Sequence, residues 1–151
     1  MILDTLTTFS DSGDFATEIG TSNVGSQIDL GSAGVFLNNG GKQAMVVVNV
    51  ETAADGGAGA AGTVQFQIAS DSTAAIATNG AQTIHFTSKA YTASELTAGT
   101  KLFFPLPISN DYERYLGLQL VQAVEGEDDL VASASLVLDP SLNVSFPDAS
   151  N

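Results

Sequence analysis

The sequence predicts an all-β protein, an antiparallel β-sandwich or jelly roll with one short helical turn near residues 92–98. Three observations lead there. Short apolar runs alternate at period two, and turn residues separate them at regular spacing. No stretch holds a helical apolar period long enough to build parallel βαβ units.

Taken in order, residues 1–25 read as an N-terminal arm or first edge element, and residues 26–151 as a single jelly-roll domain. In the arm, Ile2, Leu3, Leu6 and Phe9 are apolar, while Thr5, Thr7 and Thr8 favour an extended chain over a helical turn. Gln27-Ile28-Asp29-Leu30 alternates polar and apolar residues. Met45 to Val50 is a β-branched run suited to a strand buried on both faces. Thr63 to Ile68 alternates strictly, with Val64, Phe66 and Ile68 expected inward, and Thr83 to Thr87 repeats the pattern with Ile84 and Phe86 inward. Lys101 to Pro107 is apolar but holds two prolines, which cannot donate to a ladder, so this strand belongs at a sheet edge. Tyr115 to Val124 puts Leu116, Leu118 and Leu120 on one face, and Leu130 to Leu138 alternates again. Asn38-Asn39-Gly40-Gly41 and Asn79-Gly80 supply turns, Ala53 to Gly62 is a low-complexity loop, and Glu125 to Asp129 closes a hairpin. Thr92-Ala93-Ser94-Glu95 has the form of a capping box, with Gly99 as the stop after it.

Charge removes several function classes. Seventeen acidic residues face four basic ones (Lys42, Lys89, Lys101 and Arg114), for a formal net charge of −13. Four scattered cations cannot neutralise a phosphate backbone or hold an anionic membrane surface, so neither nucleic acid nor membrane is expected as a partner. The charge does favour solubility at high concentration. Cysteine is absent, which excludes disulfides, thiolate catalysis and cysteine-based zinc sites. The N-terminus lacks the basic and apolar regions of a secretory signal, and no run approaches a membrane span, so a soluble chain without an export signal is expected.

Chemistry finds little purchase. His85, the one histidine, lies out of phase with Ile84 and Phe86 and is expected to face solvent without an orienting partner. No serine sits in a nucleophile elbow, and Gly56-Gly57-Ala58-Gly59 lacks the lysine and hydroxyl of a phosphate loop. Glu125, Glu127, Asp128 and Asp129 could supply oxygen ligands to calcium, but their spacing matches no calcium loop and favours a solvated turn. Free pairing of carboxylates could assemble a glycosidase, yet the chain has no tryptophan and three tyrosines to platform a sugar. The expectation is a protein that is not an enzyme and needs no cofactor. Arg114, the one arginine, stands beside Asp111 and Glu113, which favours a local salt bridge closing the turn; the alternative is a contact to a partner's carboxylate.

The order of several pieces carries a resemblance. Met1-Ile2-Leu3-Asp4 and Phe9-Ser10-Asp11 open the chain, and Ser94 to Gly99 leads into Phe103-Phe104-Pro105-Leu106-Pro107. Glu113 to Leu118, the acidic hairpin and a closing strand to Asp139-Pro140 follow. In these the chain resembles small tailed-bacteriophage capsid cement (decoration) proteins with a jelly-roll fold, over most of its length and least so over residues 51–82. The resemblance implies a structural virion protein made in the host cytoplasm and bound to the outside of an icosahedral head. There it would cement neighbouring major capsid subunits, as a homo-oligomer such as a dimer or trimer. Ile2, Leu3, Leu6 and Phe9, apolar residues a lone chain would expose, and Arg114 are the candidate partner contacts. The rival reading is a β-sandwich adhesion or carbohydrate-binding module, which would show an exposed aromatic cluster and glycan binding.

Overall fold

A computed structural model describes residues 5–15, 19–33, 43–54, 62–108, 111–123 and 129–137. Within them the chain forms nine strands and two short 3-10 turns. The strands are β1 (Thr8–Asp14), β2 (Gly20–Asp29), β3 (Met45–Thr52), β4 (Thr63–Asp71), β5 (Thr83–Thr87), β6 (Tyr91–Thr92), β7 (Lys101–Pro105), β8 (Tyr115–Gln122) and β9 (Val131–Val137). One sheet has the order β1-β9-β3-β7 and the other β2-β8-β4-β5, with the two-residue β6 beside β4. Every pairing is antiparallel. Setting β6 aside, the pairs nest: β1 with β9, β2 with β8, β3 with β7, and β4 with β5. That nesting is a long hairpin folded over into two sheets, the jelly roll the alternation predicts.

The sheets form because alternate residues of each strand are apolar and must leave water together. Val46, Val48 and Val50 of β3, Val64, Phe66 and Ile68 of β4, and Leu116, Leu118 and Leu120 of β8 are all buried between the layers. The rings of Phe15, Phe66, Phe104 and Phe86 run through the centre, with neighbouring centroids 5.4 to 6.5 Å apart. Val47, on the opposite face of β3, is buried too, but Met45 and Asn49 on that face are only half-buried and Phe103 opposite Val47 is exposed. The second face is thus partly covered and not buried as the β-branched run suggests. The proline-bearing strand β7 takes an edge, since the N–H that Pro105 lacks is not missed there.

Local details follow their sequence signals. Residues Ala93–Glu95 form a 3-10 turn in which the Thr92 N–H donates to Glu95 Oε2 at 3.0 Å. The turn ends at Leu96, whose N–H donates to the Ala93 carbonyl, and not at the expected Gly99, which stands at φ +86° in the next turn. The stretch before Gln27, polar and glycine-containing, is also strand: β2 starts at Gly20, because its backbone pairs along β8 from Gln122 to Tyr115. Phase fails at β5. Phe86 opposes Ile68 and Ile84 opposes Ala69, so His85 is the extra residue of a β-bulge. Ile84 therefore turns outward, 45% exposed, instead of inward. The turn at 38–41, most of the loop at 53–62 and the end of the last run at Leu138 lie outside the described residues.

Candidate interaction surface

Strand directions decide which loops meet. The start of β1, the ends of β9 and β7 and the start of β3 lie at one end of the first sheet, by their register. The end of β2, the start of β8, the end of β4 and the start of β5 lie together in the second sheet. A hydrogen bond from Tyr112 Oη to the Pro107 carbonyl, 2.6 Å long, ties the two groups at one end of the sandwich.

Two large apolar side chains stand in solvent at that end. Leu6, in the 3-10 turn Thr5–Thr7 before β1, is 76% exposed, and Ile108, just past β7, is 72% exposed. Below them the framework is tightly fixed. Phe9 is 2% exposed and belongs to the core, so it departs from the expectation of a partner contact: β1 pairs with β9 and turns this ring between the sheets. Ile2 and Leu3 lie outside the described residues. Arg114 is at the same end, but its partner is neither Asp111 nor Glu113. Its Nε and Nη2 donate to Asp29 Oδ1 and Oδ2 at 3.0 and 2.8 Å, because β2 and β8 are paired and bring the end of one beside the start of the other. The guanidinium and the Gly31 N–H hold the Asp29 carboxyl down at a pKa of about 2. The Arg114 guanidinium also lies over the Tyr115 ring, 5.0 Å from its centroid.

Sequence reasoning missed a polar cluster on the same end. His85 Nε2 lies 2.7 Å from Ser70 Oγ, and the ring stacks on Tyr112 with centroids 4.1 Å apart. Ser70 Oγ also accepts the Glu113 N–H at 3.0 Å, and Thr83 Oγ1 donates to Glu113 Oε1 at 2.8 Å. The expected outward histidine is thus half-buried and partnered; the bulge re-aims it. Burial lowers its pKa from 6.5 despite the opposing attraction of Asp111 and Glu113, and burial raises the Tyr112 phenol to about 12. A serine–histidine pair invites a catalytic reading. Ser70, however, is fully buried with its oxygen already accepting a backbone N–H, so a substrate cannot reach it. The cluster clamps β4, β5 and the approach to β8.

Asp129 is exposed in a left-handed conformation, φ +65°. Glu125, Glu127 and Asp128 lie outside the described residues, and among the described residues no group of three histidines or acids is placed to hold a metal. The tyrosines are spoken for: Tyr112 is buried against His85, Tyr91 packs on Phe66, and Tyr115 lies under Arg114. They form no shared platform for a sugar ring.

Comparison with known proteins gives one family. The Bbp16 family model matches residues 12–126, most of the chain. No curated protein matches the sequence. Among solved structures, that of infectious bursal disease virus Gx strain overlays at a TM-score of 0.41 with 18% identity, over 85% of this chain and 29% of that one. That of the T13 particle of the same virus overlays at 0.43 with 17% identity, over 86% and 28%. This chain spans less than a third of the length of those viral chains.

Proposed function

This chain belongs to the Bbp16 family, and on that premise we propose that it is a structural protein of a tailed-phage virion. It sits on the outside of the icosahedral head and cements neighbouring major capsid subunits. The observation that carries this reading is the end of the sandwich where Leu6 and Ile108 stand exposed on a fixed jelly-roll frame. The order of motifs shared with capsid cement proteins agrees with it. So does a charge of −13, which favours solubility at high concentration.

Energetically the contact is small and repeated. Fully burying a leucine or isoleucine side chain contributes about 1.5–3 kcal/mol, so each copy adds little. A shell carries many copies across its joints, and the joints open only when several fail together. The role needs rigid shape and apolar contact; it uses no catalytic group and no cofactor.

Pelleting with purified heads of the encoding phage tests the reading. The wild-type chain cosediments with heads, and the doubly substituted chain Leu6→Asp, Ile108→Asp stays in the supernatant with an unchanged melting curve. A wild-type chain that ignores heads, or one that binds glycans instead, overturns it.

A further inference from the structure

The four outer strands of the sandwich are not alike. On one side β1 and β2 pack together, with Gly25 of β2 set against the Phe9 backbone. On the other side β5 and β7 are the outer strands of the two sheets. Two of the exposed large apolar side chains lie within strands, Ile84 on β5 and Phe103 on β7, and both are on this second side. The strands also differ in charge. β1 carries Asp11 and Asp14 and β2 carries Asp29, whereas β5 and β7 have no carboxylate and β7 has Lys101. In a chain of net charge −13, this is the strand side that a second copy can approach with least repulsion.

The backbone of β7 is specific about what it can accept. Leu106 N–H donates to the Ala44 carbonyl and Val50 N–H to the Thr100 carbonyl, so residues 102 and 104 between them are the ones that exchange bonds with β3. Lys101 and Phe103 therefore turn their N–H and C=O groups away from β3, to the open edge. Among the described residues these groups have no partner, and the Lys101 ammonium has no ion pair. Phe103 is 43% exposed beside them.

We propose that β7 pairs antiparallel with β7 of a second copy about a two-fold axis at Leu102, joining the two four-stranded sheets edge to edge. In that register Lys101 of one copy faces Phe103 of the other, and the reverse. Each pair exchanges both of its backbone bonds, which satisfies every free group of the two residues. The ammonium of one copy lies against the exposed ring of its partner, a favourable cross-strand cation–π pair. The window is short by construction. Pro105, which has no N–H, falls opposite Gly99, whose N–H is already given to the Val50 carbonyl. Lysine and proline at an edge oppose long sheet addition, and a register shifted to centre on Phe103 would leave the Lys101 carbonyl facing Pro105, which has no N–H to give.

Sedimentation across a dilution series, with amide exchange on the same samples, tests the proposal. The chain runs as a concentration-dependent dimer, and the Lys101 and Phe103 amides exchange more slowly as the dimer fills. Phe103→Gln, on the exposed face, keeps the melting curve and weakens association by about tenfold or more. A chain that stays monomeric, a dimer insensitive to Phe103→Gln, or amides 101 and 103 unprotected in the dimer overturns it. Monomers whose head binding is lost with Phe103→Gln would also overturn it, assigning the edge to a strand of another protein.

Discussion

Gly25 stands in β2 at φ +61°, and a Cβ there would lie 2.0 Å from the Phe9 carbonyl oxygen. Both the conformation and the contact demand glycine. Gly25→Ala is expected to destabilise the fold by about 2–4 kcal/mol, from left-handed strain and a backbone clash together. A urea melt that shows less than half of that would mean β2 can move off β1. Gly117 makes a milder case, since its missing Cβ leaves room for the tip of Ile76, a flexible terminus that can shift. His85 yields a prediction in pH. Its folded pKa lies below 6.5, so the fold favours the neutral ring, and as pH falls through 6.5 the unfolded chain takes up the proton first. Stability is thus lost from pH 6.5 down to the lowered folded value. His85→Gln should flatten that part of the profile, in urea melts at stepped pH, and leave the acid limb set by carboxylates such as Asp29 and Asp71.

At the scale of elements, the strands most legible in the sequence are those whose alternation meets no interruption: β3, β4 and β8. Their valines, phenylalanine and leucines announce an inner face, and the structure buries it. β7 was legible as an edge from its prolines, and the 3-10 turn from its capping residues. What was not legible depends on partners distant in sequence. The bulge at His85 is set by β4, so the phase of Ile84 could not be read from β5 alone. The first seven residues of β2 carry few apolar side chains and are strand because β8 lies alongside. Asp29 and Arg114 are joined by the same pairing, across a gap no local rule spans. Of the candidate contacts, Leu6 and Arg114 are at the described end, while Ile108 was not singled out because one isoleucine after a proline carries no pattern. Tyr112 connects this scale to the contact, as its hydroxyl holds the Pro107 carbonyl next to Ile108. Tyr112→Phe should cost about 1 kcal/mol in thermal or urea melts. The exposed Arg114–Asp29 pair should cost under about 1 kcal/mol when Arg114 becomes alanine, despite its bidentate geometry.

For the whole molecule, the division of labour is by surface. The interior is apolar and ringed by paired strands, the β1–β2 side closes on itself, and the β5–β7 side is the less acidic one. The end with Leu6 and Ile108 offers apolar contact. In the cementing role proposed above, such a protein would act by shape and number of copies, and its effect would appear in the shell it joins more than in itself. Heating heads stripped of this protein, and the same heads with it restored, measures that effect directly. Restored heads are expected to open and release DNA at a higher temperature than stripped ones, and heads given Leu6→Asp, Ile108→Asp protein to show no shift. Restored heads that open at the same temperature as stripped ones, with the wild-type protein bound, would contradict the cementing role.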